Sequence, residues 1–204
     1  PNKERGLYKT VDGGTTWKLI KFISDKAGFV DVAMDPSDPN TLYAASWERV
    51  RGPYFLTSGG PGSGLWKTTD AGATWTEIKG GGFPATMKGR IGLAIAPSNP
   101  KIVYALVEAD SLPNPKKSTS TKGRQKLESG LYRSEDAGST WTKMNDRDVR
   151  PFYYSQVRVD PKDPNRVYWS ATPVNFSDDG RKTVRDATIG IHVDHHAMWI
   201  DPND

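Results

Sequence analysis

The chain contains no cysteine, which excludes disulfide bridges and thiolate metal sites without fixing a compartment. No apolar run approaches the roughly 20 residues that a membrane-spanning helix needs, and no signal peptide can be read. Nor is there a large excess of one charge. Lys and Arg number 28 against 24 Asp and Glu, a formal net charge of +4, and the two signs are interspersed. That is an ordinary soluble surface and not the footprint of a nucleic-acid binder. The most basic stretch, residues 116–126, is mixed with Ser, Thr and Gly and reads as a solvated loop.

What is present is repetition, which has to be found before anything else is read. Thr10-Val-Asp-Gly-Gly-Thr-Thr-Trp17, Thr68-Thr-Asp-Ala-Gly-Ala-Thr-Trp75 and Ser134-Glu-Asp-Ala-Gly-Ser-Thr-Trp141 share one pattern of Ser/Thr, Asp, Gly, Thr and Trp. A degenerate copy, Ser177-Asp-Asp-Gly-Arg-Lys-Thr-Val184, keeps Asp179 but has Arg181 for the glycine and Val184 for the tryptophan. A second phrase follows each copy at a nearly constant interval: Val32-Ala-Met-Asp-Pro-Ser-Asp-Pro-Asn-Thr-Leu-Tyr43, Ala94-Ile-Ala-Pro-Ser-Asn-Pro-Lys-Ile-Val-Tyr104 and Val157-Arg-Val-Asp-Pro-Lys-Asp-Pro-Asn-Arg-Val-Tyr168. Its fourth copy opens at Trp199 and ends with the chain at Asp204.

Four short strands per unit follow from the local chemistry. Residues 30–34, 91–95 and 156–159 alternate as strands do. The Asp-Pro phrase turns the chain, since proline fixes φ and Asp or Asn bonds its own backbone. Residues 42–45, 103–106 and 167–169 return as second strands. Residues 6–10, 64–68 and 130–134 form third strands, and the Thr-Trp phrase turns each into a fourth at 17–20, 75–78 and 141–144. In that phrase Asp12, Asp70 and Asp136 suit a structural role as acceptors across the turn, with Gly14, Gly72 and Gly138 permitting positive φ. Trp17, Trp75 and Trp141 are expected to wedge between neighbouring sheets. The alternative, that these aspartates are catalytic, is disfavoured because catalysis does not need one carboxylate per repeat.

Repeated four-stranded antiparallel units describe an all-β fold, a segment of a β-propeller. The eight-residue phrase resembles the Asp-box, or bacterial neuraminidase repeat, found in sialidases, xyloglucanase-type glycoside hydrolases and sortilin. With Pro61-Gly-Ser-Gly-Leu-Trp66, Gly89-Arg-Ile-Gly92 and His192-Val-Asp-His-His-Ala-Met-Trp-Ile-Asp-Pro202, the whole chain resembles the large bacterial sortilin-like proteins often labelled glycosyl hydrolase. The resemblance implies export, to the periplasm, the extracellular space or the outer cell surface. The repeat divides the chain into a half blade at 1–27, blades at 28–87, 88–150 and 151–190, and an opening strand at 191–204. About three and a half blades, no initiator Met and unpaired terminal strands lead to the expectation of a piece of a larger ring, with the rest of that propeller as its first partner.

Function is expected away from the boxes. Long connections at 48–63 and 108–129 join second to third strands, and others at 80–89, 145–154 and 186–195 lead into first strands. All emerge on one face, and variable loops on a rigid scaffold usually carry binding. First strands line a propeller channel, which places Asp31, Arg90, Arg150, Tyr153 and Tyr154 around its mouth, with Trp47 and Tyr54 from the first long connection. All three histidines lie between His192 and His196. On an extended strand His192, Asp194 and His196 share a face, and a divalent metal there is one reading. Acid–base groups or plain hydrogen bonding at the rim are the others.

A glycosidase needs two carboxyl groups across a sugar cleft. Asp31 and Asp194 are the candidates, with Glu48 and Asp148 behind them. A sialidase would need a third clustered arginine beside Arg90 and Arg150, and none is evident. Because no acid–base pair can be named, the sequence favours a non-catalytic, sortilin-like scaffold that binds a protein, peptide or glycan at the mouth. A xyloglucanase-type hydrolase is the alternative, and fold alone does not decide between them.

Overall fold

A computed structural model of the chain describes residues 1–109, 128–148, 150–180 and 183–203. The basic stretch at 116–126, most of the 108–129 connection, and Arg181 of the fourth box lie outside the described residues.

The described chain is all-β, with four antiparallel sheets in sequence order. The first is a two-stranded pair, β1 (Leu7–Lys9) and β2 (Lys18–Lys21). The second orders β3 (Ala27–Met34), β4 (Leu42–Arg51), β6 (Gly64–Thr68) and β7 (Thr76–Glu77) side by side, with the short β5 (Leu56–Ser58) paired to the far end of β4. The third runs β8 (Lys88–Ile95), β9 (Val103–Ala109), β10 (Gly130–Ser134) and β11 (Thr142–Asn145). The fourth runs β12 (Val157–Val159), β13 (Val167–Ser170), β14 (Val174–Ser177) and β15 (Arg185–Asp186). Each complete sheet is an up-and-down meander, as a propeller blade requires.

The third sheet is sandwiched. Ile91, Leu93, Ile95, Val103, Ala105 and Val107 pack toward Tyr43 and Leu65 of the second sheet. Residues of opposite parity, Ala94, Tyr104 and Leu106, pack toward Val157, Val167 and Trp169 of the fourth. Because both faces are covered, β9 is buried along its whole length and reads as a nearly continuous apolar run, interrupted by Glu108, rather than an alternating one.

The boxes are built alike. In the third, Ser134 Oγ donates to Asp136 Oδ1 (2.8 Å), Asp136 Oδ1 accepts from Thr140 N (2.7 Å), Asp136 Oδ2 accepts from Thr140 Oγ1 (2.6 Å), and Trp141 Nε1 donates to the Gly138 carbonyl (3.0 Å). Asp12 and Asp70 repeat the set with Thr10, Thr16, Thr68 and Thr74. Asp179 keeps a looser version with Ser177 and Thr183. Two successive residues of each turn are left-handed: Gly13 and Gly14, Ala71 and Gly72, Ala137 and Gly138.

These hydrogen bonds hold the carboxyls of Asp12, Asp70 and Asp136 down to about 2. A depressed folded value stabilises the fold above the ordinary 3.8 and is lost as pH falls through about 2. Chemical denaturation between pH 5 and 2 should therefore show stability falling most steeply below pH 4. Asp136→Ala should flatten that fall; an unchanged slope would remove the boxes from acid unfolding.

Three expectations are corrected. The tryptophans do not all wedge between sheets: Trp141 is buried at 5 % exposure, Trp75 is half-buried and Trp17 is 61 % exposed. Each box docks on the preceding sheet, as shown by Tyr43 Oη and Lys67 Nζ both donating to the Ala137 carbonyl at 2.7 Å and Lys9 Nζ donating to the Ala71 carbonyl at 2.8 Å. The connection at 48–63 is not all loop, since β4 continues to Arg51 and pairs Arg49 with Ser58 and Arg51 with Leu56. Residues 191–203 form no strand, so the opening strand expected at 191–204 is not seen over the described residues.

Candidate functional site

The inner edge of each sheet is its first strand, and an edge strand leaves backbone amides to be satisfied. Asp31 does this between sheets. It sits at the irregular step of the β3–β4 ladder, where Oδ2 accepts from Leu93 N of β8 and Oδ1 from its neighbour Val32 N, at 2.8 and 2.9 Å. Burial pushes its carboxyl up, and the two amides oppose that. Both oxygens are thus committed to backbone, which suits a blade-to-blade tie better than a catalytic carboxylate.

Next to Asp31 a polar network joins the second and third sheets. Trp47 Nε1 donates to Ser58 Oγ (2.9 Å), and Ser58 Oγ donates to Glu108 Oε2 (2.5 Å). Glu108 Oε2 also accepts from Arg90 N at 2.8 Å. The guanidiniums of Arg49 and Arg90 lie 5.5 and 5.6 Å from the Trp47 ring centroid, within reach of cation–π attraction. Burial raises the Glu108 carboxyl, opposed by Ser58 and by the amide and charge of Arg90. Asp148 adds a second acid: its carboxyl oxygens are buried without a hydrogen-bond partner among the described residues. Burial, with some help from Glu108, raises it to about 8 against the pull of Arg90.

Arg90 then links this cluster to the surface. One of its guanidinium nitrogens donates to the Tyr153 carbonyl at 2.7 Å. Tyr153 and Tyr154 close a tight turn, both amides donating to the carbonyl of Arg150, whose φ is +55°. Their rings meet at 5.0 Å nearly edge to face. His196 packs against both, 4.8 Å from Tyr153 and 5.3 Å from Tyr154. His196 Nε2 lies 2.9 Å from Asp194 Oδ1, and the Tyr154 phenol is raised by burial and then by its hydroxyl's hydrogen bond to Asp194. Asp194 holds φ = +96°, a strained conformation for a residue with a side chain, and such strain gathers at functional sites.

The structure therefore brings Tyr153, Asp194 and His196 together as an exposed ledge over the buried ring of Tyr154, with Arg90 and Trp47 behind it. Arg90 faces the interior network rather than open solvent. Arg150 is exposed on the turn below Tyr153. Tyr54 stands 99 % exposed beside the tip of the β4–β5 hairpin, away from the ledge. Glu48 accepts from Gly62 N within its own connection. Of the face expected to be shared by His192, Asp194 and His196, Asp194 and His196 meet at 2.9 Å, while the positive φ at Asp194 departs from the extended geometry expected for all three. His192 is exposed, and the described residues hold no group of three His, Asp or Glu that could bind a metal ion. Glu108 and Ser58 were missed as site residues. The signal for Glu108 was an acid within the apolar run of β9, where a charge needs a partner.

Cavities of about 560 and 410 Å³ lie elsewhere, between the β1–β2 pair and the second sheet, lined by Lys9, Ile20, Ala71 and Gly72 among others. They are the seam left where the first sheet has only two strands, and they hold none of the mouth residues.

Comparison with known proteins agrees with this architecture. The profile of the Sortilin-Vps10 family (Sortilin, neurotensin receptor 3) matches residues 5–189. A probable oligoxyloglucan-reducing end-specific xyloglucanase of Neosartorya fischeri is 32% identical over 161 residues, covering 79% of this chain and 17% of the relative. A xyloglucanase of a Paenibacillus species is 24% identical over 180 residues, 82% of this chain and 14% of the relative. Vacuolar protein sorting/targeting protein 10 of Fusarium vanettenii is 24% identical over 143 residues, 70% and 8%. The chain thus spans under a fifth of the length of these relatives. Among solved structures, the GH74 xyloglucanase from Xanthomonas campestris superposes with a TM-score of 0.59 at 21% identity, covering 86% of this chain and 24% of that one. An ancestral GH74 enzyme gives 0.58 at 18% identity, with 90% and 21% covered. At such identities the structural likeness shows the fold, that of β-propeller enzymes.

Proposed function

We propose, from the premise that this chain belongs to the Sortilin-Vps10 family, that it is part of an exported glycan-directed propeller of the glycoside-hydrolase type. The observation that carries this reading is the exposed ledge of Tyr153, His196 and Asp194. An aromatic ring offers its face to the C–H bonds of a pyranose, while a carboxylate and an imidazole accept and donate to its hydroxyls. The xyloglucanases among its relatives support a β-glucan chain as the ligand class. They favour this reading over the non-catalytic scaffold that the sequence alone suggested.

Hydrolysis would belong to the whole protein. Two carboxyl groups must face each other across the scissile bond. Asp31 is tied to backbone amides and Asp148 is buried. Asp194 is therefore the carboxylate this chain brings to the mouth, and its opposite number would come from elsewhere in the ring. His196 Nε2 and the Tyr154 hydroxyl both lie within hydrogen-bonded reach of the Asp194 carboxyl and hold it in place.

The test is titration of the full-length protein with xyloglucan oligosaccharides, alongside peptides and sialosides as competitors. Tyr153→Ala should weaken oligosaccharide binding about tenfold, corresponding to roughly 1.4 kcal/mol for a lost stacking contact. Asp194→Asn should abolish hydrolysis while sparing most of the binding. Peptide binding at the ledge with no oligosaccharide binding would overturn the reading in favour of the sortilin-like one.

A further inference from the structure

The buried network and the exposed ledge are joined by one short segment. Residues 146–148 and 150–154 connect β11 to the turn before β12, and this segment is fastened at three points. Trp169 Nε1, on a fully buried side chain of β13, donates to the Arg147 carbonyl at 2.8 Å. The Asp148 carboxyl lies buried beside Arg90 and Glu108. Arg90 in turn donates to the Tyr153 carbonyl. Beyond these points the segment carries the rings against which His196 packs.

We propose that Asp148 and Arg90 are positioning residues: seated together beside Glu108, they hold the turn at 150–154 and so set where the Tyr153–Tyr154–His196 ledge stands. Neither touches the ligand. The functional consequence rests on the glycan-binding reading; the structural one does not.

The chemistry of the seat makes the hold depend on a proton. An ionised carboxylate with neither oxygen hydrogen-bonded is costly to bury, whereas the neutral acid is far less so. The groups around it do not change that balance. Arg90 of β8 attracts the anion, Glu108 of β9 repels it, and Asp31 of β3 and Arg49 of β4 act on Arg90 with opposite signs. Arg158 of β12 acts on Asp31, and Asp146, Arg147 and Arg150 flank Asp148 on its own segment. The seated acid has its carboxyl raised from 3.8 to about 8, while the released one returns to the ordinary value. Release should therefore grow more favourable across that window, by up to about tenfold per pH unit, and level off above it.

The fastening of Trp169 to Arg147 supplies a reporter that does not require a ligand. In full-length protein labelled with 5-fluorotryptophan, the Trp169 signal, assigned by Trp169→Phe, should change with pH between 5 and 8 and then hold steady to 9.5. Asp148→Asn keeps the shape and removes the titration, so its signal should stay at the low-pH position throughout. Arg90→Lys keeps a charge but loses the planar donor fork and should shift the signal toward the released position at every pH. Oligosaccharide affinity should follow the same curves, with Asp148→Asn binding several-fold more tightly than wild type at pH 8. A wild-type signal that ignores pH, or an Asp148→Asn variant with the wild-type transition, overturns the proposal. A signal that behaves as expected in a protein that binds no oligosaccharide supports the positioning role and overturns the glycan reading instead.

Discussion

Trp141→Ala is expected to cost about 3–5 kcal/mol of folding stability, and Trp17→Ala less than about 0.5 kcal/mol. The two residues occupy the same place in the same repeat, so propensity and local hydrogen bonding cancel in the comparison. Both indole N–H groups donate to the glycine carbonyl three residues earlier, at 3.0 Å in each case. What differs is the neighbour. Trp141 lies 5.2 Å from the Phe83 ring and joins the core of Tyr43, Leu65 and Tyr132 between the second and third sheets. Truncating it opens a cavity that sheets on both sides prevent from collapsing. Trp17 is 61 % exposed and leaves no cavity behind. Urea denaturation of both variants, followed by circular dichroism, measures the difference. Equal losses would mean that the box stabilises its own turn rather than the junction between blades.

How far the sequence could be read follows from the same distinction. The Asp-Pro turns and the boxes set strand order and register, since hydrogen bonds within a turn depend on residues a few places apart; all three full boxes repeat them. Burial of the tryptophans was not legible, because it depends on what the neighbouring sheet presents. The ledge was half legible. Register placed Tyr153, Tyr154 and the three histidines at one end of the sheets, and the structure brings three of those five side chains, Tyr153, Tyr154 and His196, together around Asp194. The reason given for it, an extended strand, fails at the positive φ of Asp194. No local pattern could have shown that Asp31 would cap an amide of β8 or that Ser58 would bridge Trp47 to Glu108. The bonds from Asp31 to Leu93 and from Ser58 to Glu108 span residues 50 or more apart and exist only once the blades stack.

Gly92→Ala is the second change with a large expected effect, and it tests whether blade stacking places the ledge. Gly92 lies in β8 where the lead-in to β12 crosses it. A Cβ there would stand 2.0 Å from the Ser155 carbonyl oxygen and 2.9 Å from its carbon. Those are backbone atoms, so no rotamer change relieves the clash. Either β8 or the segment ahead of β12 must shift, at a cost of about 1–3 kcal/mol. Ser155 directly follows Tyr154 and is itself left-handed at φ +39°, so the shift falls on the turn that carries the ledge. The variant should lose both stability and oligosaccharide affinity, and the Trp169 signal should move even at pH 5, where Asp148 is protonated. Gly28→Ala is the matched control: its Cβ would meet the Arg5 guanidinium at 3.5 Å, an ordinary contact with a flexible side chain, and should change stability by less than about 0.5 kcal/mol. A Gly92→Ala protein that is destabilised yet keeps its Trp169 signal and its affinity would show that the turn is held by Arg90 and Asp148 without help from the packing beneath it.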